Sequence, residues 1–377
     1  MGFFLNFYFD KIFIYFFIRA LSFLLRKIIR NHYPELFINQ IFSLFIMFLG
    51  ESLSFFLWIM LKFKLKERGR VKTIVFQKKK SYLKRFLNKI YIPFLIFFCS
   101  FCDFCGSFNY YDYYSYSILK FSDNFDNLNK IFLCLFVTYN EIYILNIQTY
   151  IHNIIGLIII NISLIDVIIY SIIRNLNQLD FLSFLLFFII TLEYQYIESV
   201  LYTIEKKLNF EYYISIYKLC FYEGIFGIIL TIIYRFFSVF IFKNDNSFLI
   251  HIENKEGTFK TILILFVYCI LTLIYNICRL KISETRPCFN VIGDILSFFF
   301  HDIFNGIVKN IWNIESYIST IFSLIGSFIF CEIITLNFCD LDKNTKNQTI
   351  QRAINDLKNC TSNEEPICEN VIEINPF

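Results

Sequence analysis

Residues 37–61 read FINQIFSLFIMFLGESLSFFLWIML, a run of 25 residues in which Glu51 is the one charged side chain. About 20 apolar residues in a helix are enough to cross the hydrocarbon core of a bilayer. The run lacks the alternation of apolar and polar residues that is typical of a strand in a membrane barrel. It therefore predicts a membrane-spanning helix that carries a carboxylate at mid-depth.

Comparable apolar runs extend along most of the chain on both sides of this one. Of the 377 residues, 57% are hydrophobic and 18% are charged, whereas a soluble domain carries about 25% charge. The first run ends at Arg26 and Lys27 without a small-residue cleavage site, so we expect a retained helix. The predicted spans are 3–25, 37–61, 92–115, 118–138, 143–170, 178–202, 215–242, 259–280, 286–307 and 315–337.

Basic residues predict the orientation of these spans. The connection 62–89 carries twelve Lys or Arg against one acid, Glu67, and such loops stay on the cytosolic side. Two other basic connections fall on the same side, one with Lys206, Lys207 and Lys218 and the other with Arg279, Lys281 and Arg286. Ten spans then place both termini in the cytosol, together with the polar tail 340–377. Its sequons at Asn347 and Asn359 would stay unmodified there. The residues Arg26, Lys27 and Arg30 disagree, because this count places them on the luminal side.

Two weak internal echoes divide the chain into halves. Residues 148–158, QTYIHNIIGLI, match 315–325, ESYISTIFSLI, at five positions, and Gly50-Glu51 in the second span corresponds to Glu223-Gly224 in the seventh. Five spans followed by five would insert the second half upside down, which is the inverted repeat of many secondary transporters. We expect an all-α membrane protein with repeats at 1–175 and 176–339.

Charged side chains inside the spans are the candidate substrate pathway. A charge at the bilayer centre costs about 2.5–3.5 kcal/mol on insertion scales unless it faces water or a partner. Acids outnumber bases at this depth, so we expect an electronegative cavity or protonated acids, with interhelical hydrogen bonding by neutral acids as the alternative. Residues 120–130, KFSDNFDNLNK, form either a surface loop or a shielded cavity wall. The candidates are Glu51, Asp103, Asp123, Asn124, Asp126, Glu193, Glu223 and Asp294.

Several short motifs resemble those of F-type members of solute carrier family 35, within the drug/metabolite transporter superfamily. They occur in the family's order between about residues 37 and 337. The motifs are MFLGE at 47–51, IP at 92–93, CD at 102–103 with Gly106, IEK at 204–206, YEGIFG at 222–227, TR at 285–286 and LIGSFI at 324–329.

The resemblance implies a ten-helix bundle with a central cavity between helices 1–4 and 6–9. It also implies an endomembrane location, in the vacuole or lysosome or in the Golgi or endoplasmic reticulum, and transport of a small organic solute. Proton coupling stays open. Two departures affect the implied substrate: Ile204 replaces the first acid of the family's Glu-Glu-Lys element, and the fourth helix is far more polar than usual.

Other classes of function have less support. An intramembrane aspartyl protease would use Asp112 and Asp294, but Val291 stands where its second motif requires glycine. A scaffold or receptor without transport activity is the other alternative. No nucleotide-binding loop or nucleic-acid face is visible. Cys99, Cys102 and Cys105 cannot converge on one metal ion from a helix. We therefore expect no enzyme activity, cofactor or metal, and lipid and solute as partners.

Overall fold

A computed structural model describes residues 7–33, 40–67, 90–107, 124–147, 150–175, 181–242, 258–309 and 314–334, and these residues are almost entirely helical. The candidate residues Asp112 and Asp123, most of the basic loop 62–89 and the tail 340–377 with its sequons lie outside these ranges. The helices are α1 Phe7–His32, α2 Gln40–Ser52, α3 Ser54–Glu67, α4 Ile90–Ser107, α5 Asn124–Tyr143, α6 Ile151–Asn175, α7 Phe181–Phe210, α8 Ile216–Phe242, α9 Thr258–Ser283, α10 Cys288–Lys309 and α11 Ile314–Phe330.

A helix overlaps every predicted span, with α2 and α3 sharing the second one across a turn at Leu53. Within the described ranges, four helical stretches are long and apolar enough to cross a membrane: Ile41–Phe63, Ile90–Ser107, Ile216–Phe240 and Phe259–Ser283. Shorter apolar helices cover Ile151–Ser163, Cys288–Ser297 and Ile318–Phe330. The all-helical class and the presence of apolar helices of membrane-spanning length are therefore confirmed, whereas the ten spans and their number stay predictions.

Several helices begin or end away from the predicted span limits: α5 ends at Tyr143, five residues past 138, and α6 begins at Ile151, eight residues after 143. α1 continues to His32 and α7 continues to Phe210, although the sequence placed the following basic residues in connections. Arg26, Lys27 and Arg30 are consequently helical, as are Lys206 and Lys207. Helices extend past the apolar core of a bilayer because long basic side chains reach back toward the polar interface.

The bundle carries apolar residues outside and many polar residues inside. Phe17, Phe56, Ile162 and Phe240, from four different helices, are each more than half exposed. Conversely, the buried side chains of the described residues include arginines, glutamates, asparagines and serines. In water this arrangement would be unfavourable, because apolar side chains would be exposed and charged side chains buried. These features fit an integral membrane protein whose helices contact the lipid bilayer.

Helices distant in the sequence form the most extensive pairs. α6 packs along α11, α2 along α8, α1 along α9, and α5 along α7. The main apolar core joins α5, α7, α8 and α10 through Leu133, Leu201, Leu219 and Val291. The first half of the chain is therefore packed against the second along most of its length.

Glycines allow α6 and α11 to cross with their backbones in contact. A methyl group on Gly156 would lie 2.7 Å from the Gly326 carbonyl oxygen and 2.8 Å from the Phe330 Cα. One on Gly326 would lie 2.8 Å from the Ile160 Cγ1. Small residues at such crossings supply close packing, which replaces the hydrophobic effect as the force between helices in lipid.

Gly156→Ala is expected to lower the free energy of unfolding by about 1–3 kcal/mol, because the new methyl group would have to push α11 away. Thermal unfolding of the purified chain in detergent measures the loss. Gly106→Ala on α4 is the matched control, since its methyl would lie 3.4 Å from the Tyr194 ring. Equal melting temperatures for the two variants would contradict the tight crossing.

Candidate functional site

A polar cavity of about 160 Å³ lies inside the bundle. Six helices surround it: α1, α2, α4, α7, α9 and α10. The cavity therefore lies between the two halves of the chain and not within either one. Its walls are aromatic (Phe23, Tyr194, Tyr202, Tyr268 and Tyr275), basic (Arg26, Lys27, Arg30 and Arg279), acidic (Glu51, Asp103, Glu198 and Asp294) and small or polar (Gly106, Ser107 and Asn276).

Arg279 on α9 brings together carboxylates from three other helices. Its Nη2 lies 2.8 Å from Glu205 Oε1 and 3.6 Å from Glu223 Oε2, and its Nη1 lies 3.5 Å from Asp103 Oδ2. All four side chains are buried. The planar guanidinium presents several donors in fixed directions, so one arginine can serve partners on α4, α7 and α8 together.

Glu51 on α2 completes this group of acids. Asn276 Nδ2 donates a hydrogen bond of 2.6 Å to Glu51 Oε1. Among the described residues, Glu51 Oε2 has no hydrogen-bond partner although it is buried. Glu51 lines the cavity beside Asp103, while Glu223 lies behind them and is fully buried.

A second buried ion pair joins α1 to α10. Arg19 Nη2 lies 2.7 Å from Asp294 Oδ1, and Arg19 Nη1 donates to Asn290 Oδ1 at 2.7 Å. The hydroxyl oxygens of Tyr202 and Tyr275 lie 3.0 and 3.3 Å from the Asp294 carboxylate. Arg19 is completely buried. Burial removes both charges from water at a large cost in free energy, and several hydrogen bonds to the pair offset that cost.

Basic side chains form one wall of the cavity, contrary to the expected excess of acids. Arg26, Lys27 and Arg30 line it from α1. The Arg26 guanidinium lies 4.1 Å from the centre of the Tyr275 ring, and Arg30 donates to the Tyr268 hydroxyl at 3.0 Å. The described lining therefore carries four basic and four acidic side chains. The acids project from α2, α4, α7 and α10 and three of the bases from α1, whereas the fourth base, Arg279 of α9, lies among the acids.

The predicted site residues fall into three groups in the structure. Glu51, Asp103 and Asp294 line the cavity, and Glu223 contacts Arg279 behind it. Glu193 is exposed on α7 and is absent from the described cavity lining. Asn124 and Asp126 lie in the first turn of α5, but their side chains, like Asp123, are outside the part of the chain that is described.

Three members of the site were missed by the sequence analysis. Arg19 is a base in the continuous apolar part of the first predicted span, which was a usable signal. Arg279 was assigned to a cytosolic connection, although it lies one turn inside the end of α9. Glu205 was noticed only as part of a motif.

A further ion pair links helix ends away from the cavity. Arg286 Nε lies 2.8 Å from Glu141 Oε2, and the backbone N–H of Cys288 donates to Glu141 Oε1 at 2.7 Å. Burial disfavours the charge of Arg286, and the contact with the Glu141 carboxylate offsets this cost. A carboxylate at the first turn of α10 is also favoured by the helix dipole.

Carboxylates, arginines and phenols of the cavity can bind a solute, and the carboxylates can exchange protons. Among the described residues, no group of three or more His, Cys, Asp or Glu has an arrangement that could hold a metal ion. Cys99, Cys102 and Cys105 are free thiols along α4. No protein-family model matches the chain, and no curated protein sequence matches it.

Proposed function

We propose that the chain is a secondary transporter that moves a small organic solute across an organelle membrane by alternating access. The observation that carries the proposal is the polar cavity inside a bundle with apolar outer faces. Buried charges are expensive in a membrane and usually mark a pathway for a polar solute. Midplane sites between two halves of a bundle are typical of such transporters.

The pairing of helices supports two inverted repeats of five helices. Such a repeat equates α1 with α7, α2–α3 with α8, α4 with α9, α5 with α10, and α6 with α11. Under that exchange α2·α8, α5·α10 and α6·α11 map onto themselves, and all three pairs are in contact. The pair α1·α9 maps onto α7·α4, which meet at Gly106 and Tyr194. The pair α5·α7 maps onto α10·α1, which also pack together.

The glycine crossing of α6 and α11 follows the same exchange. Gly156 meets Phe330, and Gly326 meets Ile160. Gly326 follows Gly156, and Phe330 follows Ile160, by the same 170 positions. The sequence echo has a separation of 167, about one helical turn less. The two contacts are thus equivalent under a two-fold axis, with a register one turn from the one expected.

The lining favours a solute that carries both charge and an apolar or planar part. Basic side chains on α1 face acids on other helices, with Tyr275, Tyr268 and Tyr202 among them. Aromatic walls with a few placed polar groups are typical of sites for small organic molecules. Endomembrane location rests on the family resemblance, and cytosolic termini on the basic loop 62–89 with an even number of crossings.

The alternatives have weaker support from the same residues. A protease would need Asp294 next to a second aspartate with which it shares a proton. Among the described residues, Asp294 instead contacts Arg19, Tyr202 and Tyr275. A scaffold does not require a charged cavity between its two halves, since its interior is more stable when filled by apolar side chains.

Reconstitution of the full chain into liposomes tests the proposal. Liposomes are incubated with a mixture of metabolites, and mass spectrometry identifies solutes that enter relative to liposomes without protein. Ser107→Trp, which fills the cavity, is expected to reduce uptake by about tenfold or more, because the solute site is lost. Phe101→Trp is the matched control: it places the same side chain on an exposed face of α4, where Phe101 is 44% exposed. Uptake of no solute by the unmodified protein would favour the scaffold.

A further inference from the structure

The acids around Arg279 outnumber the bases that can neutralise them. Glu51, Asp103, Glu205 and Glu223 come from α2, α4, α7 and α8, and they surround one guanidinium from α9. If all four carboxylates were charged, their four negative charges would exceed the one positive charge by three. Like charges this close in a buried place cannot all ionise, so some of the acids must hold protons.

Hydrogen bonding at Glu223 and Glu51 agrees with this count. Glu223 is 0% exposed, and within the described residues neither of its carboxylate oxygens accepts a hydrogen bond. The nearest base, Arg279, is 3.6 Å from Glu223 Oε2 and closer to Glu205. Glu51 Oε2 is also buried without such a partner. A bare carboxylate that is buried without donors is strongly disfavoured relative to the neutral acid.

We propose that the cluster of Glu51, Asp103, Glu205, Glu223 and Arg279 is a proton-binding site that couples proton movement to solute transport. The coupling part rests on the proposed transport function. The proton-binding part rests on the charge count and on burial alone. In the exchange step, a carboxylic acid of the cluster releases its proton to cavity water and becomes a carboxylate, and the reverse step reloads it.

The cavity provides the route for these protons. Glu51 and Asp103 line it, and Asp103 is the least buried member of the cluster. Glu205 and Glu223 lie behind them, both in contact with Arg279. Protons from cavity water therefore reach the outer pair first and the inner pair through it. A solute in the cavity would contact the same outer carboxylates.

Charged and titratable side chains next to the cluster also influence how its net charge depends on pH. Arg19 already pairs with Asp294, and Arg26 can offset the charge of only one acid, so an excess of acid remains at the cluster. Among the described residues, the titratable and charged groups that face it are Arg19 and Arg26 from α1, Cys99 and Cys102 from α4, Glu198 and Tyr202 from α7 and Cys220 from α8, with Asp294 of α10 held by Arg19.

The position of the cluster explains how protons could act on the two halves. Glu51 and Glu223 lie where α2 crosses α8, and a methyl group on Gly224 would lie 2.9 Å from the Glu51 Cβ. These helices belong to opposite halves of the proposed repeat. Protonation removes repulsion across this crossing, whereas deprotonation favours an arrangement in which water reaches the acids. Proton loading therefore biases one orientation of the halves over the other.

Infrared difference spectroscopy of the full chain in lipid nanodiscs tests proton binding directly. A neutral carboxylic acid has a C=O stretching band that shifts in deuterated water, and a carboxylate lacks it. We expect this band at neutral pH in the unmodified protein, with a loss of intensity as pH rises. Glu223→Gln and Glu51→Gln should each remove part of the band. Glu284→Gln should leave it unchanged, because Glu284 is half exposed and pairs with Lys281.

A further variant, with an expected change of the band in the opposite direction, distinguishes the loss of a protonated acid in Glu51→Gln and Glu223→Gln from misfolding. Arg279→Gln removes the base, so more acids must take up protons and the band should grow. Absence of the band at neutral pH, or a band that Glu51→Gln, Glu223→Gln and Arg279→Gln all leave unchanged, would overturn the proton site.

Transport in the same liposomes separates the two proposals. For a solute taken up by the unmodified protein, we expect an imposed pH gradient to change the accumulation at least severalfold. If uptake does not change with the pH gradient and the infrared band is missing, the proton-binding site is overturned and the proposed transport function is retained. A band without uptake of any solute overturns the transport function and with it the coupling.

Discussion

Replacing Arg19 with methionine is expected to lower the free energy of unfolding by about 3–5 kcal/mol, the usual cost of leaving one partner of a buried ion pair uncompensated. Arg19 is fully buried and contacts Asp294, Asn290, Tyr202 and Tyr275. Methionine occupies a similar path but supplies neither the charge nor the donors. Among the described residues, the Asp294 carboxylate would then keep two phenol hydroxyls as its donors within the bundle.

A double-mutant cycle isolates the pair from the rest of the network. Thermal or denaturant unfolding in detergent is measured for Arg19→Met, Asp294→Asn and the double variant. We expect the double variant to lose less than the sum of the two single losses, because it no longer buries a lone charge. Lys281→Gln is the control, since its pair with Glu284 is at the surface and such pairs contribute about 0–1 kcal/mol.

Two outcomes would contradict this account of Arg19. One is a loss for Arg19→Met no larger than that for Lys281→Gln. The other is additivity of the Arg19 and Asp294 variants, which would mean that the two side chains stabilise the bundle independently.

The sequence predicted the helices well because a membrane imposes a simple length and composition on each span. A helix overlaps each of the ten runs, including α5, where polar residues 120–130 made a loop equally plausible. The ends were predicted less well. Hydropathy falls at Arg26 and at Lys206, yet α1 and α7 continue, because charged residues remain favourable in a helix beyond the apolar core.

The site was predicted in part, because an acid inside an apolar run is conspicuous and a base near the end of one is not. Glu51, Asp103 and Asp294 were found in this way, and all line the cavity. Arg279 was counted as an orientation signal instead. Its partner Asp103 is 176 positions away, so no local pattern reveals the pair.

The sequence also did not predict which face of a helix points into the bundle. Glu193 and Glu198 lie on the same helix, yet Glu193 is exposed and Glu198 lines the cavity. α7 is apolar around most of its circumference, so its hydrophobic pattern does not distinguish the inner face from the outer one. The inner face of α7 is identified by its packing against α5 and by its contact with the cavity.

Arg279→Gln is expected to reduce transport by about 100-fold, which corresponds to the roughly 3 kcal/mol lost when a buried charge pair is broken. The variant leaves Asp103, Glu205 and Glu223 without their shared base, so the cluster must gain protons or open to water. Part of the stability should return at acid pH, because neutral acids need no base, and should be lost again as pH rises.

Arg279→Lys separates charge from geometry at this position. Lysine keeps one positive charge, but a compact ammonium cannot reach carboxylates on α4, α7 and α8 in the directions that the guanidinium does. We expect transport between that of the unmodified protein and that of Arg279→Gln, with a milder loss of thermal stability. Lys281→Gln on the same helix should behave as the unmodified protein. If Arg279→Gln transported normally, the cluster would have a structural role alone, because a pathway that depends on its charge balance cannot tolerate the loss of the base that contacts three of its acids.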